Sequence, residues 1–285
     1  MSIENALANL VEGLERARSL DEPRHLRQRS KALDDLDAYL SGVQGTGTAL
    51  DQRARGIHSR LESVNFKLYA SIRRDIQRGA GAGSLLGWMP DGNDAANLFH
   101  SGGYDYLDDL LSEVLQFDEP SAEVVKLQPE MVPYQPTPAR HIFDLIGQTA
   151  LTERDLFIDL GSGLGQVTLL AAICTSAQCT GIELELSYVD CARSSARSLN
   201  LNNAKFIAGD ARRADLAAGT VFYLYTPFTG AILRDVLNSL RREAASRVIR
   251  VATFGPCTSL VAKEPWLSTM GPLDPDRIAI FHSRN

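Results

Sequence analysis

Apolar residues recur at helical spacing through the first 80 residues of the chain. Pro23 and the glycine-rich segment 42–48 divide this part into residues 2–20, 24–41 and 49–78. Residues three and four positions apart share one face of a helix, so the pattern predicts three amphipathic helices. Their apolar stripes consist of Ile3, Leu7, Leu10, Val11 and Leu14, of Leu26, Leu33, Leu36 and Leu40, and of Ile57, Leu61, Val64, Leu68, Ile72 and Ile76.

The pattern changes after the third of these helices. Residues 79–93 contain five glycines and a proline, which predict a long loop, and residues 104–117 return to helical spacing. We therefore expect residues 1–125 to form an all-helical N-terminal domain. The many arginines of the third helix predict a solvated face, the alternative being a nucleic-acid surface.

Apolar runs alternate with amphipathic stretches in the second half of the chain. The runs predict strands at 155–160, 178–183, 204–208, 219–225 and 246–253, and the stretches predict helices at 165–175, 187–200 and 229–244. Residues 266–269 and 277–282 predict two further strands. This alternation is typical of an α/β fold with a doubly wound, mostly parallel sheet. We expect residues 151–285 to form this core, joined to the helical domain by a proline-rich connecting loop and helix at 126–150.

Segment 155–166 combines a buried strand with a glycine turn. It reads Asp-Leu-Phe-Ile-Asp-Leu-Gly-Ser-Gly-Leu-Gly-Gln, and Asp159 lies at the carboxyl end of the apolar run. Gly161, Gly163 and Gly165 carry no Cβ, so their backbone can approach a ligand closely. Open α/β sheets bind ligands at this corner, beside the carboxyl ends of the strands.

The spacing of the glycines distinguishes two classes of ligand. A dinucleotide-binding turn reads G-x-G-x-x-G, but here the third glycine comes one residue early and Gln166 occupies the last position. An NAD(P)-dependent oxidoreductase therefore remains only as an alternative. Asp159, the G-x-G-x-G turn and a second acidic strand end at Glu183 together resemble class I S-adenosylmethionine-dependent methyltransferases. The resemblance implies a Rossmann-like, seven-stranded methyltransferase sheet that ends in an antiparallel strand pair, with S-adenosyl-L-methionine as cofactor.

This resemblance implies a set of cofactor-binding residues. Asp159 would fix the turn or accept a hydrogen bond from the ammonium group of the cofactor. Glu183 offers two acceptor oxygens to the two ribose hydroxyls, and Leu184 is placed to pack on adenine. Asp210, beside Ala211, would accept a hydrogen bond from the adenine amine, the alternative for Asp210 being a helix N-cap. The turn itself contributes Gly161, Ser162, Gly163 and Gly165.

A closer family resemblance rests on the same segment. Residues 155–167 look like the signature of Dot1-type histone-lysine methyltransferases. That family places a Tyr-Gly-Glu-Thr loop before its core, and Tyr134 and Thr137 fall on the tyrosine and the threonine of that loop. Thr152, before the first strand, also fits. The resemblance implies cofactor roles for Tyr134, Thr137 and Gln166.

Two positions depart from that family. Pro136 stands in place of its loop glutamate, and Thr226 in place of an asparagine, so the resemblance implies fold and cofactor more than histone-lysine specificity. Thr226, Pro227 and Phe228 match only part of the Asn/Asp-Pro-Pro-Tyr/Phe motif of amino-methylating enzymes. We expect Phe228 to contact the substrate by stacking or a cation–π interaction, the alternative being a core position. The predicted catalytic residues are Tyr134, Thr226 and Phe228.

The segment that holds Tyr134 is rich in proline. Residues 128–138 contain four prolines, so they are predicted to be neither helix nor central strand. Pro138 suits the start of a helix over residues 139–149. The segment is either a rigid linker or a loop that lies over the cofactor, and we prefer the loop because it enters the core just before the first strand.

Composition adds a few bounds. The net charge of −6 argues mildly against nonspecific binding to nucleic acid. The five histidines are scattered and predict no metal site, and His141 is a candidate base with a surface or capping role as the alternative. The chain shows neither a signal peptide nor an apolar run of roughly 20 residues, so we expect a cytoplasmic protein. Buried, reduced thiols are expected at Cys174, Cys179, Cys191 and Cys257.

These observations lead to one hypothesis and two alternatives. The hypothesis is an S-adenosylmethionine-dependent methyltransferase that acts on an amine nitrogen of a protein or a small molecule and releases S-adenosyl-L-homocysteine. The N-terminal helices would cap the substrate side or form a homodimer. The alternatives are a catalytically inactive methyltransferase fold used in assembly and an NAD(P)-dependent oxidoreductase.

Overall fold

The structure is a computed structural model that describes residues 3–42, 48–89, 103–117, 129–269, 271 and 273–284. The chain divides into two compact units, Met1–Ile72 and Arg73–Asn285, and the division falls inside one long helix. The domain boundary near residue 125 stays a prediction, because residues 118–128 lie outside the described ranges. Within those ranges, no helix is both long and apolar enough to cross a membrane.

The first unit is helical. Its elements are α1 (Ile3–Arg16), α2 (Leu26–Gly42) and most of α3 (Ala49–Gln77), as the apolar spacing predicts. Arg29 is buried among these helices. Its guanidinium donates to the side chain of Asn65 at 2.5 Å and to backbone carbonyls, and these hydrogen bonds offset the cost of burying the charge. The fully buried apolar side chains of this unit include Val11, Leu26, Leu36 and Leu61.

The prediction of a long loop over residues 79–93 is wrong, because a short helix, α4 (Gly81–Leu86), forms within it. A Cβ at Gly81 would come within 3 Å of Ile76 and Ile173, so this glycine permits close packing rather than breaking the helix. Glycine thus marks a close contact here, which the sequence pattern alone does not distinguish from a turn. The last part of that segment lies outside the described residues.

Two helices precede the sheet. The predicted helix over residues 104–117 is confirmed as α5 (Tyr106–Leu115), which starts with a capping box formed by Asp105 and Asp108. The predicted helix after Pro138 is confirmed as α6 (Ala139–Thr149). The segment 129–138 between them contains neither helix nor regular strand, in agreement with its prolines.

The predicted alternation of strands and helices is confirmed. The strands are β1 (Leu156–Leu160), β2 (Gln178–Glu183), β3 (Ala204–Ala208), β4 (Val221–Tyr225), β5 (Arg250–Phe254), β6 (Leu267–Ser268) and β7 (Ala279–Ser283). The helices between them are α7 (Gln166–Cys174), α8 (Leu186–Ser198), α9 (Gly230–Ala244) and α10 (Cys257–Val261). Sequence reasoning missed α10, and it started β5 four residues early. The short 3₁₀ turn at Ala211–Arg213 is the one that the N-cap alternative for Asp210 requires.

The seven strands form one sheet in the order β3-β2-β1-β4-β5-β7-β6. The first five strands of that order are parallel, and β7 is antiparallel to both of its neighbours. This is the predicted doubly wound α/β sheet with a terminal antiparallel pair. The order reverses between β1 and β4, so their carboxyl ends flank the crevice where such sheets bind ligands. Asp159 lies there, opposite Gly181 on β2 and Tyr223 on β4.

Candidate functional site

A cavity of about 860 Å³ opens at the carboxyl edge of β1, β2, β3 and β4. All the predicted site residues except Gly163 and Gly165 line it. They are Tyr134, Thr137, Asp159, Gly161, Ser162, Gln166, Glu183, Leu184, Asp210, Ala211, Thr226 and Phe228. The fold therefore brings together side chains that are almost 100 residues apart in the chain.

The three glycines of the turn after β1 are needed for contacts within the protein. Each has a positive φ, which residues other than glycine rarely adopt. An added Cβ would overlap Pro227 at Gly161, the ring of Tyr134 at Gly163, and the ring of Phe206 at Gly165. Of the three glycines only Gly161 lines the cavity, and the cofactor roles of Gly163 and Gly165 stay predictions.

Glu183, at the end of β2, is held by two backbone amides. Its Oε2 accepts from the amide of Gly163 at 2.8 Å, and its Oε1 accepts from the amide of Glu185 at 2.9 Å. Each carboxylate oxygen can accept a second hydrogen bond. Because Glu183 also lines the cavity, a ligand with two adjacent hydroxyl groups can use that remaining capacity.

Asp159 is a buried carboxyl group at the centre of the site. Burial raises its pKa to about 7, and the charge of Glu183 acts in the same direction. The hydroxyl of Thr168 donates to its Oδ2 at 3.1 Å, which opposes the shift. This carboxyl group therefore changes its charge near neutral pH, and a bound cation would favour the ionised form.

Ser162 is also buried at the cavity wall, and its hydroxyl has no hydrogen-bond partner within the described part of the chain. Buried polar atoms are rarely left without a partner. The arrangement therefore fits a ligand with a polar group at this point.

Asp210 caps a turn and also faces the cavity, so its hydrogen bond to adenine stays a prediction. It is the N-cap of the 3₁₀ turn, because its carboxylate accepts from the amide of Arg212 at 2.9 Å. The guanidinium of Arg212 also binds this carboxylate, and these hydrogen bonds lower the pKa of Asp210. Asp210 nevertheless lines the cavity, so one residue both caps the turn and faces the site.

The proline-rich segment lies along the cavity as preferred in the sequence analysis. Residues 131–137 all line it. The ring of Tyr134 packs on Gly163 and lies 5.3 Å from the ring of Tyr188, centroid to centroid. The hydroxyl of Thr137 is 3.1 Å from that of Tyr223 on β4. We call residues 131–137 the cavity loop.

The turn after β4 carries the other predicted catalytic residues. Thr226 has a φ of 39°, and its hydroxyl donates to the carbonyl of Phe254 and accepts from the amide of Cys257. This hydroxyl is thus engaged within the protein. Phe228 is buried in the apolar core and also lines the cavity, and its contact with a substrate stays a prediction.

Sequence reasoning missed three further tyrosines in the cavity wall. They are Tyr188 on α8 and Tyr223 and Tyr225 on β4. Alternate residues of a strand lie on the same face, so Tyr223 and Tyr225 were recognisable as a pair at the end of β4. Burial raises the pKa of Tyr225, and so do the nearby Tyr104 and Asp276.

Other candidate groups lie away from this chemistry. His141 is buried against Phe254, with ring centroids 4.4 Å apart, and burial lowers its pKa to about 4. It does not line the cavity, and its neutral form at pH 7 lies in the core rather than at the surface. Among the described residues no cluster of His, Cys, Asp or Glu could hold a metal ion. The four cysteines are free, and all but the partly buried Cys174 are buried.

Comparisons with known proteins support the Dot1-like signature. Residues 133–209 match the family model described as histone methylation protein DOT1, a range that runs from the cavity loop to the end of β3. No curated protein matches the chain.

Solved structures similar to this chain include three methyltransferases. An RNA methyltransferase from Salinibacter ruber in complex with S-adenosyl-L-homocysteine is 23% identical and has a TM-score of 0.43, covering 52% of this chain and 92% of its own. Precorrin-6y C5,15-methyltransferase from Geobacter metallireducens GS-15 is 14% identical with a TM-score of 0.42, covering 54% and 94%. A SAM-dependent methyltransferase from Thiobacillus denitrificans is 22% identical with a TM-score of 0.33, covering 43% and 50%. The fold assignment rests on the sheet order itself.

Proposed function

We propose that this chain is an S-adenosylmethionine-dependent methyltransferase that transfers the methyl group to an amine nitrogen of a protein or a small molecule. The observation that carries the proposal is the convergence of three acidic side chains on one cavity at the switch point of the sheet. They are Asp159 near the end of β1 and before the glycine turn, Glu183 at the end of β2 and Asp210 after β3. The match to the DOT1 family model covers Asp159 and Glu183 and ends one residue before Asp210.

The residues present fit this cofactor. Glu183 has spare acceptor capacity for the two ribose hydroxyls, and Asp210 is placed at the next strand end for the adenine amine. Asp159 would stabilise the ammonium group of the methionine portion, which in turn would lower the raised pKa of this carboxyl group. The hydroxyl of Ser162 would gain a hydrogen-bond partner.

The tyrosine-lined wall of the cavity suits an amine. When bound, S-adenosylmethionine would supply an electrophilic methyl group on a sulfonium, which the lone pair of a neutral amine would accept as S-adenosylhomocysteine leaves. The nitrogen becomes cationic as the bond forms. Aromatic rings stabilise such a cation by their faces, and Tyr134, Tyr188, Tyr223 and Tyr225 line this cavity. The cavity loop lines this cavity and would shield the reacting atoms from water.

Titration calorimetry with S-adenosylhomocysteine, with NAD as the parallel ligand, tests the cofactor assignment. We expect S-adenosylhomocysteine alone to bind. Glu183→Ala should weaken that binding about tenfold or more, since hydrogen bonds to a charged group contribute about 1.5–3 kcal/mol each. Glu153→Ala, at an exposed position before β1, is the matched control and should bind normally.

Methyl transfer is tested separately. The protein is incubated with labelled S-adenosylmethionine and with protein, metabolite and RNA fractions, and label is expected in an amine of one of the first two. Label in RNA alone would contradict the proposed acceptor. Binding of the cofactor with no transfer to any fraction would favour an inactive fold used in assembly, and binding of NAD alone would favour an oxidoreductase.

A further inference from the structure

Glu130 lies immediately before the cavity loop and caps a helix distant in sequence. Its Oε2 accepts from the amide of Ile232 at 3.0 Å, and its backbone carbonyl accepts from the amide of Thr229 at 2.8 Å. Hydrogen bonds from the amides of Ala231 and Ile232 lower the pKa of Glu130. Thr229, the N-cap of α9, makes no capping hydrogen bond with its own side chain, so Glu130 supplies the anion that this helix end favours.

The start of α9 is shaped to receive this carboxylate. Gly230 has a φ of 54°, and an added Cβ would overlap the carboxylate of Glu130. Glycine at this position therefore serves a specific contact as well as the backbone conformation. Arg212, which binds Asp210 in the cavity wall, also lies close enough to lower the pKa of Glu130.

The contact fixes where the cavity loop begins. Met131 forms a bridge with Phe228, and the amide of Val132 donates to the carbonyl of Pro227 at 3.1 Å. Pro227 in turn packs against Gly161 of the glycine turn. The Glu130 carboxylate thus anchors the chain immediately before Met131 and Val132, the two residues that pair with the turn after β4.

The loop is held at its other end as well. The hydroxyl of Tyr104 donates to the carbonyl of Pro136 at 3.0 Å, and Asp108 accepts from the amide of Ala139 at 2.7 Å. Tyr134 and Thr137 lie between Glu130 and Ala139, and they contact the glycine turn and β4 respectively. Releasing one end would leave these two side chains free to shift relative to the cavity.

We infer that Glu130 is a positioning residue, which sets the cavity loop over the bound cofactor by anchoring it to the N-terminus of α9. The inference rests on the proposed function for the identity of the ligand. It assigns to Glu130 a role that differs from ordinary helix capping. A cap alone would affect stability, whereas an anchor would also affect ligand binding and turnover.

The test compares Glu130→Ala with a cap removed elsewhere, Thr48→Ala at the start of α3, where Thr48 accepts from the amide of Asp51. In Glu130→Ala we expect the affinity for S-adenosylhomocysteine and kcat to fall about tenfold or more, because small displacements of positioning groups are costly. Thr48→Ala should lower the melting temperature and leave both values unchanged. Glu130→Gln keeps an acceptor oxygen and should restore part of the loss. Equal effects of Glu130→Ala and Thr48→Ala on affinity and kcat would overturn the inference.

Two further measurements separate this inference from the proposed function. Gly230→Ala should lower stability in both backgrounds because of its positive φ. It should weaken binding in the unaltered protein but weaken it little further in the Glu130→Ala background, because the displaced contact is already absent. Amide exchange of a peptide spanning residues 129–138 should accelerate in Glu130→Ala while the interior of α9 stays protected. Unchanged exchange would overturn the inference whatever the ligand is. Failure of the unaltered protein to bind S-adenosylhomocysteine would overturn the proposed function alone.

Discussion

Asp159 illustrates how burial turns an ordinary side chain into a titrating one. It is a carboxyl group with 2% exposure at the end of a central strand, and its pKa lies near 7 for that reason. When the pKa is higher in the folded state than in the unfolded state, the folded protein binds more protons than the unfolded protein at every pH between the two values. Asp159 therefore contributes stability at low pH that is lost as the pH rises from about 4 to about 7.

We predict that Asp159→Asn changes the pH dependence of unfolding. In the unaltered protein this carboxyl group contributes a slope of up to about 1.4 kcal/mol per pH unit across that window, with stability falling as pH rises. The variant should lack this contribution, so the slopes of the two stability curves should differ most between pH 4 and 7. Urea unfolding at pH 5, 6 and 7 measures it, and parallel stability curves would contradict the prediction. Asp108, whose pKa burial raises to about 6, is present in both proteins and cancels.

The turn after β4 is the element in which backbone and side chain oppose each other. Thr226 is β-branched, and a positive φ is strained for such a residue. Its hydroxyl compensates by bonding the carbonyl of Phe254 at 3.1 Å and the amide of Cys257 at 3.0 Å. The turn therefore depends on a hydroxyl group rather than on the conformational preference of the residue.

We predict that one substitution at Thr226 lowers the unfolding free energy and that another leaves it almost unchanged. Thr226→Val keeps the shape and the strain but leaves the buried amide of Cys257 without this acceptor, and should cost about 2–3 kcal/mol of unfolding free energy. Thr226→Ser keeps the hydroxyl and should lie within about 0.5 kcal/mol of the unaltered protein. Equilibrium denaturation of both variants measures the difference. A Val variant as stable as the Ser variant would show that the hydroxyl bonds contribute nothing net.

The sequence predicted elements well where a local pattern decides their structure. Apolar runs bounded by turn residues located β1, β2 and β3, and Asp159, Glu183 and Asp210 were recognisable at the strand ends. The pattern failed where a contact distant in the chain decides. Gly81 lies in a helix and packs closely against Ile173, and the role of Glu130 depends on an amide 102 residues further on. Thr226 was predicted to be catalytic from a partial motif match, a role that stays a prediction, and its neighbours in sequence do not reveal its bonds to Phe254 and Cys257.

At the scale of the whole molecule, the candidate site belongs to one of the two compact units. Every residue that lines the cavity lies within Arg73–Asn285, whereas α1 and α2 belong to Met1–Ile72. Ligand binding stabilises only the structure that forms the site, by about 2.7 kcal/mol when the free ligand is at 100 times its dissociation constant. A chain with two units need not unfold in one step, so the stabilisation need not be shared.

We therefore predict that S-adenosylhomocysteine slows amide exchange in one unit alone. At saturation, protection should increase in the cavity loop, in the glycine turn at 161–165 and in the turn after β4, because these segments line the cavity or pack on its wall. The amides of α1 and α2 should exchange at the same rate with and without ligand. Mass spectrometry of exchanged peptides measures both regions in one sample, and NAD serves as the control ligand. An equal gain of protection in α1 and α2 would mean that the two units open together, and the site would then be coupled to the helices of the first unit.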